Sequence, residues 1–316
     1  MKILVTVTNY SKYCQAGKRI LQDAGCEIIE NTSGRPFTAE ELEELVGDVD
    51  GAIAGADVWS EQIFRAALKM KVLVRFGVGV DNFDLEAAKK YGITVCNCPG
   101  INTTAVAEQA VALILGLTRQ IVWLNKETKE GKWPRIMMHE LKSCTVGILG
   151  FGSIGRNICE KLKVFSPVLI AYDKYVDEKE AERLGVEMVS FEEVLKRSDV
   201  ISVNLPAVPE TIGIINSQNI TKMKNGVYLV NTARGSLVKE KDVAEAIRTG
   251  KIAGFAMDVY AREPITRENP LLSSDRVIMT PHTSAETYEN CETTSCVTAK
   301  IVLDVLRGEN RKIDLV

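Results

Sequence analysis

The chain has 316 residues, 46% of them hydrophobic and 26% charged, which is more than one hydrophobic core ordinarily serves and suits two α/β domains without long disordered tracts. Its 39 basic and 42 acidic side chains are spread along the sequence and leave a net charge of -3, so there is no electrostatic footprint for nucleic acid. Met1-Lys2-Ile3-Leu4-Val5 opens directly on a strand-length apolar run, and no later run reaches membrane-spanning length; no membrane contact is expected, and the cytosol is the expected location.

In chain order, β-branched runs at Lys2–Thr6, Cys26–Glu30, Gly51–Ala54, Val72–Phe76 and Thr94–Cys96 alternate with amphipathic stretches, the pattern of a parallel sheet wrapped by helices on both faces. Thr38-Ala39-Glu40-Glu41 has the spacing of a capping box at the start of one helix. From Thr104 to about Lys129 the spacing predicts one long helix whose first turns are apolar on nearly every face, to be covered by a large core or by another subunit. A second strand series follows at Thr145–Leu149, Val168–Tyr172, Val200–Val203, Val227–Asn231, Gly254–Met257 and Val277–Met279. The last segment, Ser284 to about Leu306, is again helical. It must pack elsewhere if the second sheet is already covered, which predicts two doubly wound, Rossmann-like α/β domains, the first discontinuous: residues 1–99 with 284–316, and residues 100–283.

Eight cysteines are scattered through apolar segments, as expected of reduced thiols. Cys96 and Cys98 form the only close pair and no second Cys/His pair stands at zinc spacing, so no metal site is expected.

Gly150-Phe151-Gly152-Ser153-Ile154-Gly155 follows the Thr145–Leu149 strand and opens a helix running from Arg156 to about Val164. Gly150 permits a tight turn, Gly152 lets backbone approach a pyrophosphate, and Gly155 lets helix and strand pack closely; the phosphates then lie on the helix N-terminus. The next strand ends in Asp173, about 18 residues beyond Gly155, as a dinucleotide fingerprint requires. A carboxylate there accepts from the ribose hydroxyls and repels a 2′-phosphate, which points to NAD rather than NADP.

A nicotinamide cofactor exchanges hydride with a carbonyl carbon, which needs a proton donor at the carbonyl oxygen, a group that keeps the donor protonated and, for an acid substrate, a cation for its carboxylate. Arg234, directly after the Val227–Asn231 strand, has the planar fork that suits a carboxylate. Of the two histidines, His139 and His282, only His282 follows a strand, in Met279-Thr280-Pro281-His282. Glu263, in Arg262-Glu263-Pro264, is its candidate partner, the alternative being an exposed loop glutamate beside a proline.

Arg75-Phe76-Gly77-Val78-Gly79-Val80-Asp81-Asn82, Val106-Ala107-Glu108, the glycine turn with Asp173, Asn231-Thr232-Ala233-Arg234-Gly235, Asp258-Val259, Glu263-Pro264 and Pro281-His282 occur in this order over almost the whole chain. In this set the chain resembles the D-isomer-specific 2-hydroxyacid dehydrogenases, especially their phosphoglycerate dehydrogenase branch. The resemblance implies NAD-dependent hydride transfer at the 2-carbon of a small 2-hydroxy acid, with Arg234, Glu263 and His282 catalytic. It implies that Arg75 and the Gly77-Val78-Gly79 backbone meet the substrate. It also implies that Val78, Thr104, Gly150, Gly152, Ser153, Ile154, Gly155, Asp173, Leu205, Thr232, Ala233 and Asp258 hold the cofactor, Asp258 and the residues around Ala233 on its nicotinamide half. A homodimer joined through a helix and arm around residues 100–140 is implied as well.

Two departures stand out. Where phosphoglycerate dehydrogenases carry an arginine for the substrate phosphate, in the loop after the third strand, this chain reads Ala54-Gly55-Ala56-Asp57, which puts phosphoglycerate in doubt. The chain ends at Val316, so the C-terminal regulatory domain of serine-inhibited members is not expected. Glu263 stands where formate dehydrogenases have glutamine. Two other classes share the pattern: NAD-sensing scaffolds of the corepressor type, which can retain the triad, and dehydrogenases of phosphite or another oxyanion.

Overall fold

In the computed structural model, residues 1–309 are described, so the last seven positions of the segment 284–316 lie outside the described residues. The chain divides into two compact units, Met1–Asn102 with Glu286–Val316, and Thr103–Ala285. The divisions therefore fall two or three residues later than the 99/100 and 283/284 boundaries expected from sequence.

The first unit is built on five parallel strands, β1 (Lys2–Val5), β2 (Glu27–Glu30), β3 (Gly51–Ala54), β4 (Val72–Arg75) and β5 (Thr94–Cys96), in the order β2-β1-β3-β4-β5. Alternate residues point to opposite faces of a strand, and the core divides accordingly. Leu4, Ala52, Ala54 and Leu73 face Leu42, Trp59 and Ile63, whereas Ile3, Val5, Ile53 and Val74 face Leu21, Val302 and Leu303. The last two belong to the helix Tyr288–Arg307, which packs on the helix Gln15–Asp23 and on β3 and β4. It thus completes the first unit, four residues later in onset than the periodicity suggests. At this crossing a Cβ on Gly17 would lie 2.5 Å from the backbone carbon of Ser295, so only glycine allows the two helices to approach. The helix Ala39–Val46 begins on the expected capping box: Thr38 accepts from the Glu41 amide and Glu41 accepts from the Thr38 amide.

The second unit carries β6 (Thr145–Leu149), β7 (Val168–Tyr172), β8 (Glu187–Met188), β9 (Val200–Val203), β10 (Val227–Asn231), β11 (Ile252–Met257) and β12 (Val277–Met279), ordered β12-β11-β10-β9-β6-β7-β8 and parallel throughout. Chain order reverses between β6 and β9, which makes their carboxyl ends the switch point where open α/β sheets bind ligands. The two-residue edge strand β8 carries no sequence signal of its own and pairs with only Ile170 and Ala171.

The long helix expected over 104–129 is two helices, Thr103–Thr118 and Ile121–Lys129, bent by 59°. The Thr118 hydroxyl donates back to the Ile114 carbonyl and Gln120 adopts φ 46°, two features that end a helix which periodicity alone would continue. Ala107, Ala110, Ile114 and Leu117 of the first helix pack with Ile158, Cys159 and Leu162 over one face of the sheet, so most of its apolar surface is covered within its own unit. Ile121 and Val122 of the second helix, and Trp133 and Met137 beyond it, remain exposed. Among the described residues no single helix is long and apolar enough to cross a membrane.

Gly17→Val should lower unfolding stability by about 1–3 kcal/mol, the usual cost of overpacking. Gly47→Ala, whose added Cβ meets nothing closer than 3.8 Å, should be near neutral. Urea denaturation of the two variants checks the contrast, and equal midpoints would remove the close crossing.

Candidate active site

The turn after β6 has the geometry that its glycines require. Gly150 adopts φ 99° and a Cβ there would lie 2.5 Å from the Asn204 carbonyl oxygen, so the turn is pressed against the end of β9. A Cβ on Gly155 would collide with the Gly150 carbonyl oxygen, whereas one on Gly152 would meet nothing within 4 Å, which leaves the face above the turn open to a ligand. The helix starts at Ser153, with Ile154 half-buried behind it and Gly152 as N-cap, and runs to Leu162 rather than Val164.

Asp173, just past β7, is bound to that turn: one carboxylate oxygen accepts from the Phe151 amide at 2.7 Å, the other from the Tyr175 amide at 2.9 Å. Each oxygen keeps a lone pair for a ribose hydroxyl. Arg156 closes the arrangement, donating from Nε to the Phe151 carbonyl at 2.9 Å and from Nη1 to Asp177 at 2.9 Å. The Asn204 Oδ1 and Thr232 Oγ1 atoms, at the carboxyl ends of β9 and β10, are buried without a hydrogen-bond partner. Orphaned polar atoms beside an open glycine turn fit a polar dinucleotide. Leu205 is buried in the core below, Ala233 follows Thr232 half-buried, and Thr104 is exposed in the first turn of its helix.

Arg234 follows β10, its backbone held by Asn231, whose side chain accepts from the Ala233 amide at 3.1 Å and donates to the Arg234 carbonyl at 2.9 Å. Beyond β11, Glu263 lies 2.6 Å through Oε2 from His282 Nδ1, and its Oε1 accepts from the Tyr260 amide at 2.9 Å. Hydrogen bonding to Glu263 raises the His282 pKa above its ordinary value; burial opposes this, the Glu263 and Asp258 charges add to it, and Arg234 subtracts. Burial pushes the Glu263 carboxyl up, but the bonds from His282 and the Tyr260 amide, with the His282 and Arg234 charges, outweigh it and leave the carboxyl below its usual range. Both shifts favour an imidazolium on a carboxylate, and the contact runs through Nδ1, which leaves Nε2 for a reactant.

His282 adopts φ 55°, a left-handed conformation uncommon for a side chain of its size and worth about 1–3 kcal/mol of strain. Around it the chain is gripped by Asp258, 1% exposed just past the end of β11. Its Oδ1 accepts from the Thr280 hydroxyl at 2.6 Å and the Thr283 amide at 2.9 Å, and its Oδ2 from the Ser284 amide at 2.8 Å and hydroxyl at 2.5 Å. The Tyr260 hydroxyl, its pKa pushed up to about 12 by burial, donates to the Thr280 carbonyl at 2.8 Å. Sequence reading assigned Asp258 to a ligand and left Thr280 and Ser284 out; the hydroxyl residues flanking His282 were the available signal.

In the first unit, Gly77 adopts φ 141° and its carbonyl accepts from the Cys98 amide at 2.8 Å, while the Val78 carbonyl accepts from Asn97 at 2.8 Å. Arg75 donates from Nε to the Gly79 carbonyl at 2.8 Å and from Nη1 to those of Ala54 and Gly55 at 3.1 and 2.5 Å, tying the loop after β3 to the loop after β4.

A family model described as "D-isomer specific 2-hydroxyacid dehydrogenase, NAD binding domain" matches residues 111–284, more than half of the chain. The chain belongs to this family. A D-3-phosphoglycerate dehydrogenase of Archaeoglobus fulgidus is 42% identical over 249 residues, covering 78% of this chain and 47% of that protein. The chain spans about half the length of the curated relatives it matches. Among solved structures, the TT0316 protein of Thermus thermophilus superposes with a TM-score of 0.90 at 30% identity, covering 100% of both chains. An NAD-dependent formate dehydrogenase of Staphylococcus aureus, in complex with NAD, superposes at 0.88 with 29% identity over 100% of this chain and 99% of that one. Residues 111–284 thus correspond to the NAD-binding domain of this family, and the glycine turn, Asp173, Arg234, Glu263 and His282 all lie within them.

Asp258→Asn keeps the shape but gives up half of the acceptor capacity, leaving donors of the 280–284 loop unpaired at a cost of about 1–3 kcal/mol. Amide hydrogen exchange at Thr283 and Ser284 should then quicken. Unchanged protection would mean that other contacts hold the loop.

Proposed function

We propose that this chain is an NAD-dependent oxidoreductase that interconverts a small 2-keto acid and its D-2-hydroxy acid, with Arg234, Glu263 and His282 as its catalytic set. The observation that carries this reading is the 2.6 Å contact of Glu263 with His282 Nδ1 in the same unit as Arg234 and the glycine turn. NAD, when bound, supplies or takes up the hydride. The guanidinium of Arg234 would hold the substrate carboxylate through two parallel bonds. In reduction His282 donates the Nε2 proton to the ketone oxygen, and in oxidation the neutral ring accepts it from the hydroxyl, while Glu263 keeps the ring oriented. Residues 1–99 with 284–316 would form the substrate domain, its Gly77-Val78-Gly79 backbone presented to the substrate by Arg75.

The substrate we favour has a short, uncharged side chain, such as glyoxylate or hydroxypyruvate. Gly55 lies in the loop where a phosphate-reading arginine was expected, and a Cβ there would already sit 3.2 Å from the Val7 Cα. Asp57 in the same loop is buried and accepts from the Thr6 hydroxyl and the Phe37 amide, at 2.7 Å in the second case. Arg35, in the loop after β2, is paired through both terminal nitrogens with Glu41 at 2.8 Å. A cytosolic homodimer joined through the exposed Ile121, Val122, Trp133 and Met137 completes the proposal; eight cysteines scattered through apolar segments suit a reducing compartment.

NADH should bind at least about tenfold more tightly than NADPH, a difference of about 1.4 kcal/mol, and Asp173→Ala should narrow the gap. Fluorescence titration measures both, and equal affinities in the wild type would take the ribose away from Asp173.

Because Glu263 raises the His282 pKa, the protonated ring persists to higher pH than an ordinary histidine, and keto-acid reduction should decline only as pH rises through that raised value. Glu263→Gln should move the decline to lower pH with NADH binding intact. NADH oxidation by a panel of 2-keto acids, followed by pH profiles on the best substrate, tests the reading. No turnover with any member, or an unmoved profile in the variant, would overturn it.

A further inference from the structure

Glu263 lies in the loop between β11 and β12, and a carboxylate that must stay 2.6 Å from an imidazole needs its loop held. Glu240, the first residue of the helix Glu240–Arg248, reaches this loop twice. Its Oε1 accepts from the Ala261 amide at 3.0 Å and its Oε2 from the Asn269 side-chain amide at 2.9 Å, so one carboxylate closes both ends of the segment 261–269. The platform beneath Glu240 is rigid: Val243 and Ile247 of the same helix are buried in the core, and the Lys239 amide donates to the Ile215 carbonyl at 2.8 Å. The far anchor is equally fixed, because Asn269 Oδ1 accepts at 3.0 Å from the amide of the fully buried Leu271.

A second contact shows the same alignment. A Cβ on Gly235 would collide with the Tyr260 carbonyl group, so the turn that carries Arg234 is pressed against the residue whose amide holds Glu263. From Gly235 to Glu240 the chain is therefore fastened to Tyr260 and Ala261 at two points, with Arg234 just before the first and Glu263 just after the second. An ordinary first-turn glutamate only complements the helix dipole, and it does so without two specific partners on another loop.

We infer that Glu240 is a positioning residue: by clamping Ala261 and Asn269 it holds the loop of Glu263 in register with His282. It touches no reactant. The inference rests on the proposed catalytic role of the Glu263–His282 pair. The charges that bear most on His282 are those of Glu263, Asp258 and Arg234, whereas the contacts of Glu240 are with the loop that carries Glu263.

The chain has two histidines, and His139 lies exposed in the segment before β6, so the imidazole NMR signals of the full chain can be followed separately, with His139 as internal control. In Glu240→Ala the His282 titration midpoint should fall toward the ordinary value of about 6.5 and kcat should drop about tenfold or more, within the range for an impaired general acid. KM for NADH should stay unchanged. Glu240→Gln, which keeps one acceptor oxygen, should move both readouts the same way by less, and it decides the matter if the alanine variant does not fold. Wild-type midpoint and kcat in these variants, with Glu263→Gln lowering the midpoint, would overturn the role of Glu240 and leave the catalytic pair standing. If Glu263→Gln leaves the midpoint in place, the pair itself is wrong.

Discussion

One buried carboxylate organises the reacting end of this protein. Asp258 leaves water at the end of β11 and offsets the loss of hydration through four donors from Thr280, Thr283 and Ser284, two on each oxygen. Those bonds turn the chain sharply after β12 and keep His282 in a backbone conformation that it would not adopt alone. The backbone position of His282 is thus set by the fold before any ligand arrives, and Glu263 orients the ring from there. This is the advantage of a preorganised site, in which reorganisation is completed during folding.

The first unit has a comparable organiser of opposite charge. Arg75 commits its guanidinium to carbonyls from two loops at the carboxyl edge of the sheet, where the strand order changes direction between β1 and β3. The nearby Asp57 draws in the Phe37 amide and the Thr6 hydroxyl by the same principle with the sign reversed.

The fold was legible because its strands are short, β-branched and bounded by turn residues: of the twelve strands among the described residues eleven were found, and the discontinuous first domain followed from the need to cover the last helix. What escaped depended on partners distant in sequence. The edge strand β8 exists because Ile170 and Ala171 pair with it, not because Glu187-Met188 prefers extended backbone. The break after Thr118 needs a side chain returning to its own helix, which periodicity does not register. At the candidate site, Arg234, Glu263 and His282 stood out at strand ends, and the structure brings Glu263 and His282 into contact. Glu240 was invisible, because a glutamate opening a helix is satisfied by the dipole alone and nothing local marks the loop it grips.

The helix Tyr288–Arg307 buries Ala299, Val302 and Leu303 against strands from the first quarter of the chain. During synthesis those strands emerge early and then wait, one face of their sheet covered only in part by the helix Gln15–Asp23, until nearly three hundred residues have left the ribosome. The intervening unit, whose core lies wholly within residues 103–285, meets no such delay. Assembly should therefore run from the middle of the chain outward, and the early strands pass the interval as an exposed apolar surface of the kind that chaperones recognise.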